Sequence, residues 1–162
     1  MNEEWIRLCG LLDDDAELTA SVKQAVDDPD AYYAAHADDL LDRGIESASD
    51  IDPWLVIIDG LDEAGALAYL DWKDGGAQLA DALAGLPRIF ATGIDLDAVG
   101  DIEADLPTAV AVANGMLDEH GLTLVYLEEE SDAYPLVAVE ADDAEQIVAL
   151  ASALGHVART HP

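Results

Sequence analysis

Basic residues are scarce in this chain: six Lys and Arg stand against 36 Asp and Glu in 162 residues, giving a formal net charge of −30 at pH 7. Nucleic acid is excluded as a partner on that count, because its recognition rests on Lys and Arg neutralising phosphates. An anionic membrane surface would be repelled for the same reason. Cys9 is the single cysteine, so no intramolecular disulfide forms, and a lone thiol fits a reducing cytosol; it reads as a small apolar residue on a helix face. No apolar run approaches the ~20 residues of a membrane span, and the start Met1-Asn2-Glu3-Glu4-Trp5 lacks the basic and apolar regions of a signal peptide. A cytoplasmic location is therefore expected. No linker rich in Pro, Gly or Ser divides the chain and no repeat period is visible, so residues 1–162 are expected to form one acidic domain.

Apolar residues make up 51% of the chain and the mean hydropathy is +0.11. High charge alone would suggest disorder, but this much apolar surface supports a folded core. Trp5, Leu8, Cys9 and Leu12 recur at helical spacing, and Leu18, Val22 and Val26 continue it after Asp13, Asp14 and Asp15. Asp28-Pro29 opens a helix through Tyr33, His36 and Leu40 that should stop at Gly44, and Asp52-Pro53 opens another that carries Trp54, Leu55, Ile58 and Leu61 inward and ends near Gly65. Ala68, Leu70 and Trp72 then alternate with Tyr69, Asp71 and Lys73 as a half-buried strand. Leu79, Leu83 and Leu86 form a short helix stopped by Pro87. Residues 88–105 show no sustained period and read as a long connection with a single helical turn.

Leu106, Val110, Ala113 and Leu117 give a helix ending at Gly121. Leu122 to Glu128 and Tyr134 to Glu140 then read as an antiparallel hairpin, with Pro135 confined to a strand start or an edge. Asp142 or Asp143 should cap a last helix with Ile147, Ala151 and Leu154 inward. The expected fold is α+β: a helix-rich single domain with a small, mostly antiparallel three-stranded sheet.

Asp28, Asp30, Asp52 and Asp142 are explained as helix-start acids, each contributing from a few tenths to about 1 kcal/mol. The clusters at Asp13 to Asp15, Asp38-Asp39, Asp95 to Glu103 and Glu128 to Asp132 are not, since like charges brought together oppose compaction. The stretch from Asp95 to Asp101 superficially matches a calcium loop but fails at Val99, in the fifth position, and at Leu106, in the twelfth, where a bidentate Glu belongs. No nucleophile elbow, phosphate loop, dinucleotide fingerprint or zinc-protease motif is present. His36, His120, His156 and His161 have no evident partner in sequence. The chain is thus expected to be non-enzymatic, with no catalytic, metal or cofactor residues and no cofactor.

A basic protein is the electrostatically natural partner. The longest acid run on an expected loop tip is the hairpin turn, so Glu128, Glu129, Glu130 and Asp132 are the candidate partner-binding residues, supported by Asp71 on the neighbouring strand. Trp5, Trp54 and Trp72 read as core residues, although the run Tyr69-Leu70-Asp71-Trp72-Lys73 also has the makings of a contact patch.

Asp28-Pro29, Arg43-Gly44-Ile45, Asp52-Pro53-Trp54-Leu55 with Ile58-Asp59, Tyr69 to Lys73, and the turn Ser131-Asp132-Ala133-Tyr134 resemble a family of uncharacterised bacterial cytoplasmic proteins that share a domain of unknown function. The resemblance spans about Asp28 to Gly155. It implies a small bacterial cytoplasmic α+β domain, of the kind that accompanies secreted toxins as an immunity partner. Three readings of the acidity follow. The first is a binding protein, immunity-like, that neutralises a basic, nuclease-like toxin domain by offering acids where that domain expects phosphates. The second is adaptation to a salty cytoplasm with no specific partner, in keeping with 24 Asp against 12 Glu and only Lys23 and Lys73 as lysines. The third is a carboxylate-pair hydrolase.

Overall fold

The computed structural model describes residues 2–13, 16–42, 44–129 and 132–160. Its middle layer is an antiparallel sheet of β1 (Leu67–Asp71), β2 (Leu122–Leu127), β3 (Ala133–Glu140) and β4 (Ala158–Arg159), in the order β1-β3-β2-β4. The β2–β3 hairpin is present as its pattern predicts, with Leu122 opposite Glu140 and Tyr126 opposite Leu136. The sheet has four strands rather than the expected three. The additional strand, β4, contributes two residues that pair with Tyr126 and Leu127, too few to show a period of two.

Helices cover both faces. On one side lie α1 (Asn2–Leu12), α2 (Ala16–Asp27), α3 (Pro29–Asp42), α4 (Pro53–Glu63) and α9 (Ala144–Ala153), packed on Leu67, Val125, Leu127, Val137 and Val139. On the other lie α5 (Gly76–Ala84), α6 (Pro87–Phe90), α7 (Asp97–Gly100) and α8 (Leu106–Asp118), packed on Ala68, Leu70, Leu122, Leu124, Leu136 and Ala138. Successive strand residues point to opposite faces, so Leu136 to Val139 are all buried, two into each layer. The result is α+β in three layers, helix, sheet, helix.

The local starts follow from caps. The Asp28 carboxylate accepts from the Ala31 amide at 3.2 Å, that of Asp52 from Trp54 at 3.0 Å, and that of Asp105 from Thr108 at 3.0 Å. Asp142 and Asp143 do not act this way. They fall in a 3₁₀ turn, Ala141–Asp143, and Asp143 precedes α9 with no side-chain cap bond because its own backbone is already helical. Residues 88–105 are also more regular than expected. Pro87 does not merely end α5; it begins α6, and with α7 that segment buries Ile89, Leu96 and Val99.

Strand edges are covered by side chains. The Asn114 carboxamide oxygen accepts from the Leu124 amide at 2.8 Å, beside the short β4, and the Asp74 carboxylate accepts from the Asp71 amide at 2.9 Å at the end of β1. Such capping opposes edge-to-edge association. Pro135, with no N–H to donate, lies near the start of β3 opposite Tyr69 of β1, and the pairing with β2 reaches only to the next residue, Leu136.

α5 begins against the backbone of α7. A Cβ on Gly76 would stand 2.2 Å from the Val99 carbonyl oxygen and 3.0 Å from that of Ile102, whereas one on Gly10 in α1 would meet nothing within 4 Å. Gly76→Ala is therefore expected to destabilise by about 2 kcal/mol, and Gly10→Ala to stabilise by about 0.5–1 kcal/mol. Urea unfolding midpoints of the two variants check the opposite signs. Burial pushes the Cys9 thiol up to about 12, so a disulfide reagent at neutral pH is expected to label it only on unfolding; rapid labelling of the native chain would contradict this.

Candidate functional site

Asp71, Glu128, Glu129 and Asp132 lie at the end of the sheet where the hairpin turns. β1 runs beside β3 so that Asp71 faces Ala133, and the Trp72 amide donates to the Asp132 carbonyl at 3.1 Å. Glu128 and Glu129 leave β2 at the same end. Asp71 and Asp132 are exposed, while Glu128 and Glu129 are half-buried rather than standing out as a free tip. Glu130 lies outside the described residues.

Glu128 is held by the backbone. Its amide donates to the Val157 carbonyl at 3.0 Å, and its carbonyl accepts from the Trp54 indole Nε1–H at 2.8 Å. The Asp52 cap and Pro53 start α4 at this point, which sets Trp54 under the end of β2 and leaves it buried as expected. The His156 ring stacks on Trp54 with centroids 4.9 Å apart and planes parallel within 1°, and its Nε2 lies 3.1 Å from Asp52 Oδ1. His156 thus has the partner that could not be read from sequence. Beside it Asp52, Leu55, Glu128, Glu129 and Val157 line a cleft of about 350 Å³.

Aromatic side chains interleave with the acids. The Tyr69 hydroxyl donates to the Glu129 carboxylate, and the Tyr126 hydroxyl bonds to Glu128. The Tyr126 and Tyr134 rings meet at 4.5 Å. Trp72 is 56% exposed, not a core residue continuing the alternation of Ala68 and Leu70. The strand ends at Asp71, whose carboxylate accepts from the Lys73 amide at 2.9 Å and whose carbonyl accepts from the Asp74 amide at 2.9 Å, and this turn swings Trp72 outward. The Lys73 ammonium lies 5.6 Å from the Trp72 ring centroid. Tyr69 is 45% exposed.

The profile of a family described as a domain of unknown function (DUF6630) matches residues 4–161. The chain belongs to the DUF6630 family. No curated protein and no solved structure matches it. Within this DUF6630 domain, residues 52–55, 69–73 and 132–134, which carried the resemblance in sequence, converge on the hairpin end.

Among the described residues of the DUF6630 domain, no three His, Cys, Asp or Glu side chains are grouped to hold a metal ion, and no helix is long and apolar enough to cross a membrane. The segment once compared with a calcium loop buries Val99 and uses the Asp95 carboxylate to accept from the Asp97 amide at 2.9 Å. The hairpin end brings together carboxylates, aromatic faces and backbone held by hydrogen bonds.

Burial and the neighbouring Glu128 push the Tyr126 phenol up to about 12, and burial does the same at Tyr32. Tyr134 is also raised, chiefly by burial. A phenol whose folded value lies above its unfolded value near 10 contributes stability below pH 10 that is lost as the pH rises through 12. The absorbance titration of phenolate at 295 nm is expected to lag that of the urea-unfolded chain, with melting temperature falling across the same window. Coincident titrations would contradict the burial assigned to these rings.

Proposed function

We propose that this DUF6630 domain is a non-enzymatic binding protein whose hairpin end docks a basic protein, and that the partner is a nuclease-like toxin domain neutralised in the bacterial cytoplasm, as an immunity protein would do it. One observation carries the reading: two exposed aromatics, Tyr69 and Trp72, stand among Asp71, Glu129 and Asp132 at one end of the sheet. Tyrosine and tryptophan concentrate binding energy at interfaces, and carboxylates beside them match a surface built to bind phosphates. The net charge of −30 adds a long-range field that accelerates encounter with a cationic partner and weakens as salt rises. The half-burial of Glu128 and Glu129 favours this role, because anchored carboxylates lose little conformational freedom on binding.

Capture from the source organism's lysate tests the reading, with the wild type, a Glu128→Lys/Glu129→Lys/Asp132→Lys variant and an unrelated protein of equal acidity as baits. One basic protein is expected on the wild type alone, at stoichiometric yield, with affinity lowered at least about tenfold by the reversal and released by moderate salt. The same proteins on all three baits would overturn it.

A further inference from the structure

On the face of the sheet opposite Trp54, the chain passes from β1 into α5 along a groove of about 520 Å³. Its walls are the Trp72 indole, Pro107 at the start of α8 and the Tyr134 ring, with Asp74 and Asp105 among its lining residues. The Lys73 ammonium already rests over the Trp72 ring at 5.6 Å, so a cation occupies the aromatic face in this structure. Asp74 spends Oδ2 on the Asp71 amide and Asp105 spends Oδ1 on Thr108, so each carboxylate has a second oxygen to offer a donor.

We propose that this groove receives an arginine side chain of the basic partner, its guanidinium replacing the Lys73 ammonium on the Trp72 face. The inference rests on the reading of the hairpin end as a basic-protein site and names the side chain that site selects. Arginine fits better than lysine for three reasons. Its planar, weakly hydrated head stacks on an aromatic ring where an ammonium prefers water. Its N–H donors serve the second oxygen of each carboxylate. Its aliphatic stem packs on Pro107. The intramolecular lysine sets the selection, since an incoming lysine would only exchange one ammonium for another.

The probes are acetylated, amidated hexa-arginine and hexa-lysine peptides, titrated at low salt into the full chain labelled with fluorotryptophan. Fluorine NMR reads Trp5, Trp54 and Trp72 separately, with Trp72→Phe giving the assignment. Hexa-arginine is expected to bind at least about threefold more tightly than hexa-lysine and to move the Trp72 signal alone. Trp72→Ala should weaken hexa-arginine about fivefold and abolish the preference. Equal binding of both peptides with an unmoved Trp72 signal, lost on Glu128→Lys/Glu129→Lys, would overturn the groove while leaving the hairpin site standing. Absence of binding by either peptide, or binding indifferent to that reversal, would overturn the site itself.

Discussion

Burial of the sheet on both faces is the interaction on which the rest of this molecule depends. β3 sends Leu136 and Ala138 into one helical layer and Val137 and Val139 into the other, so the central strand ties two apolar clusters into one body. That attraction acts against the mutual repulsion of a chain at −30. Two of the cations bond to neutral groups: Arg7 donates to the Gln146 side-chain oxygen at 2.7 Å and Arg88 to the Ala138 carbonyl at 3.1 Å. The apolar layers hold the fold, and a handful of acids that cap helices assist them locally.

The same constraint produces the site. Strand residues alternate between layers, and towards its end the edge strand β1 loses its cover on one face. Tyr69 and Asp71 share a face with buried Leu67 yet stand exposed, and Trp72 follows as the first residue of the turn. The exposed aromatics and acids are the continuation of buried strands past the edge of the core, held rigidly because the strands behind them are packed. Trp54 and His156 fasten the other side, through the Glu128 carbonyl and the Asp52 carboxylate. A surface built on strand ends is more precise than a loop of the same composition, and precision is what aromatic and bidentate contacts reward.

Elements decided by neighbouring residues were legible in sequence. Asp28-Pro29 and Asp52-Pro53 marked true helix starts because a cap and a proline act within one turn, and Gly121, at φ 72°, marked the passage from α8 to β2. The hairpin and its acids were legible from segments rich in Val, Leu and Tyr on either side of an acidic turn. What could not be read depends on distant chain. β4 exists because Tyr126 and Leu127 have an unpaired side for it, and the stacking of His156 on Trp54 joins residues far apart in the chain. Trp72 misled because its spacing continues the strand pattern while the backbone turns at Asp71. Residues 88–105 hid two helices of four residues each, shorter than any window in which helical periodicity can be seen.

If the two apolar layers carry the fold, the acids are surplus to folding and free to serve recognition; if the chain instead depends on molar salt, the acidity is an adaptation of the whole surface. Urea unfolding followed by tryptophan fluorescence, from millimolar to molar sodium chloride, separates these most directly. This account predicts a folded baseline and a cooperative transition in dilute buffer, with salt raising the midpoint gradually by screening the charge. A chain that is unfolded in dilute buffer and folds only as salt approaches molar concentration would contradict it.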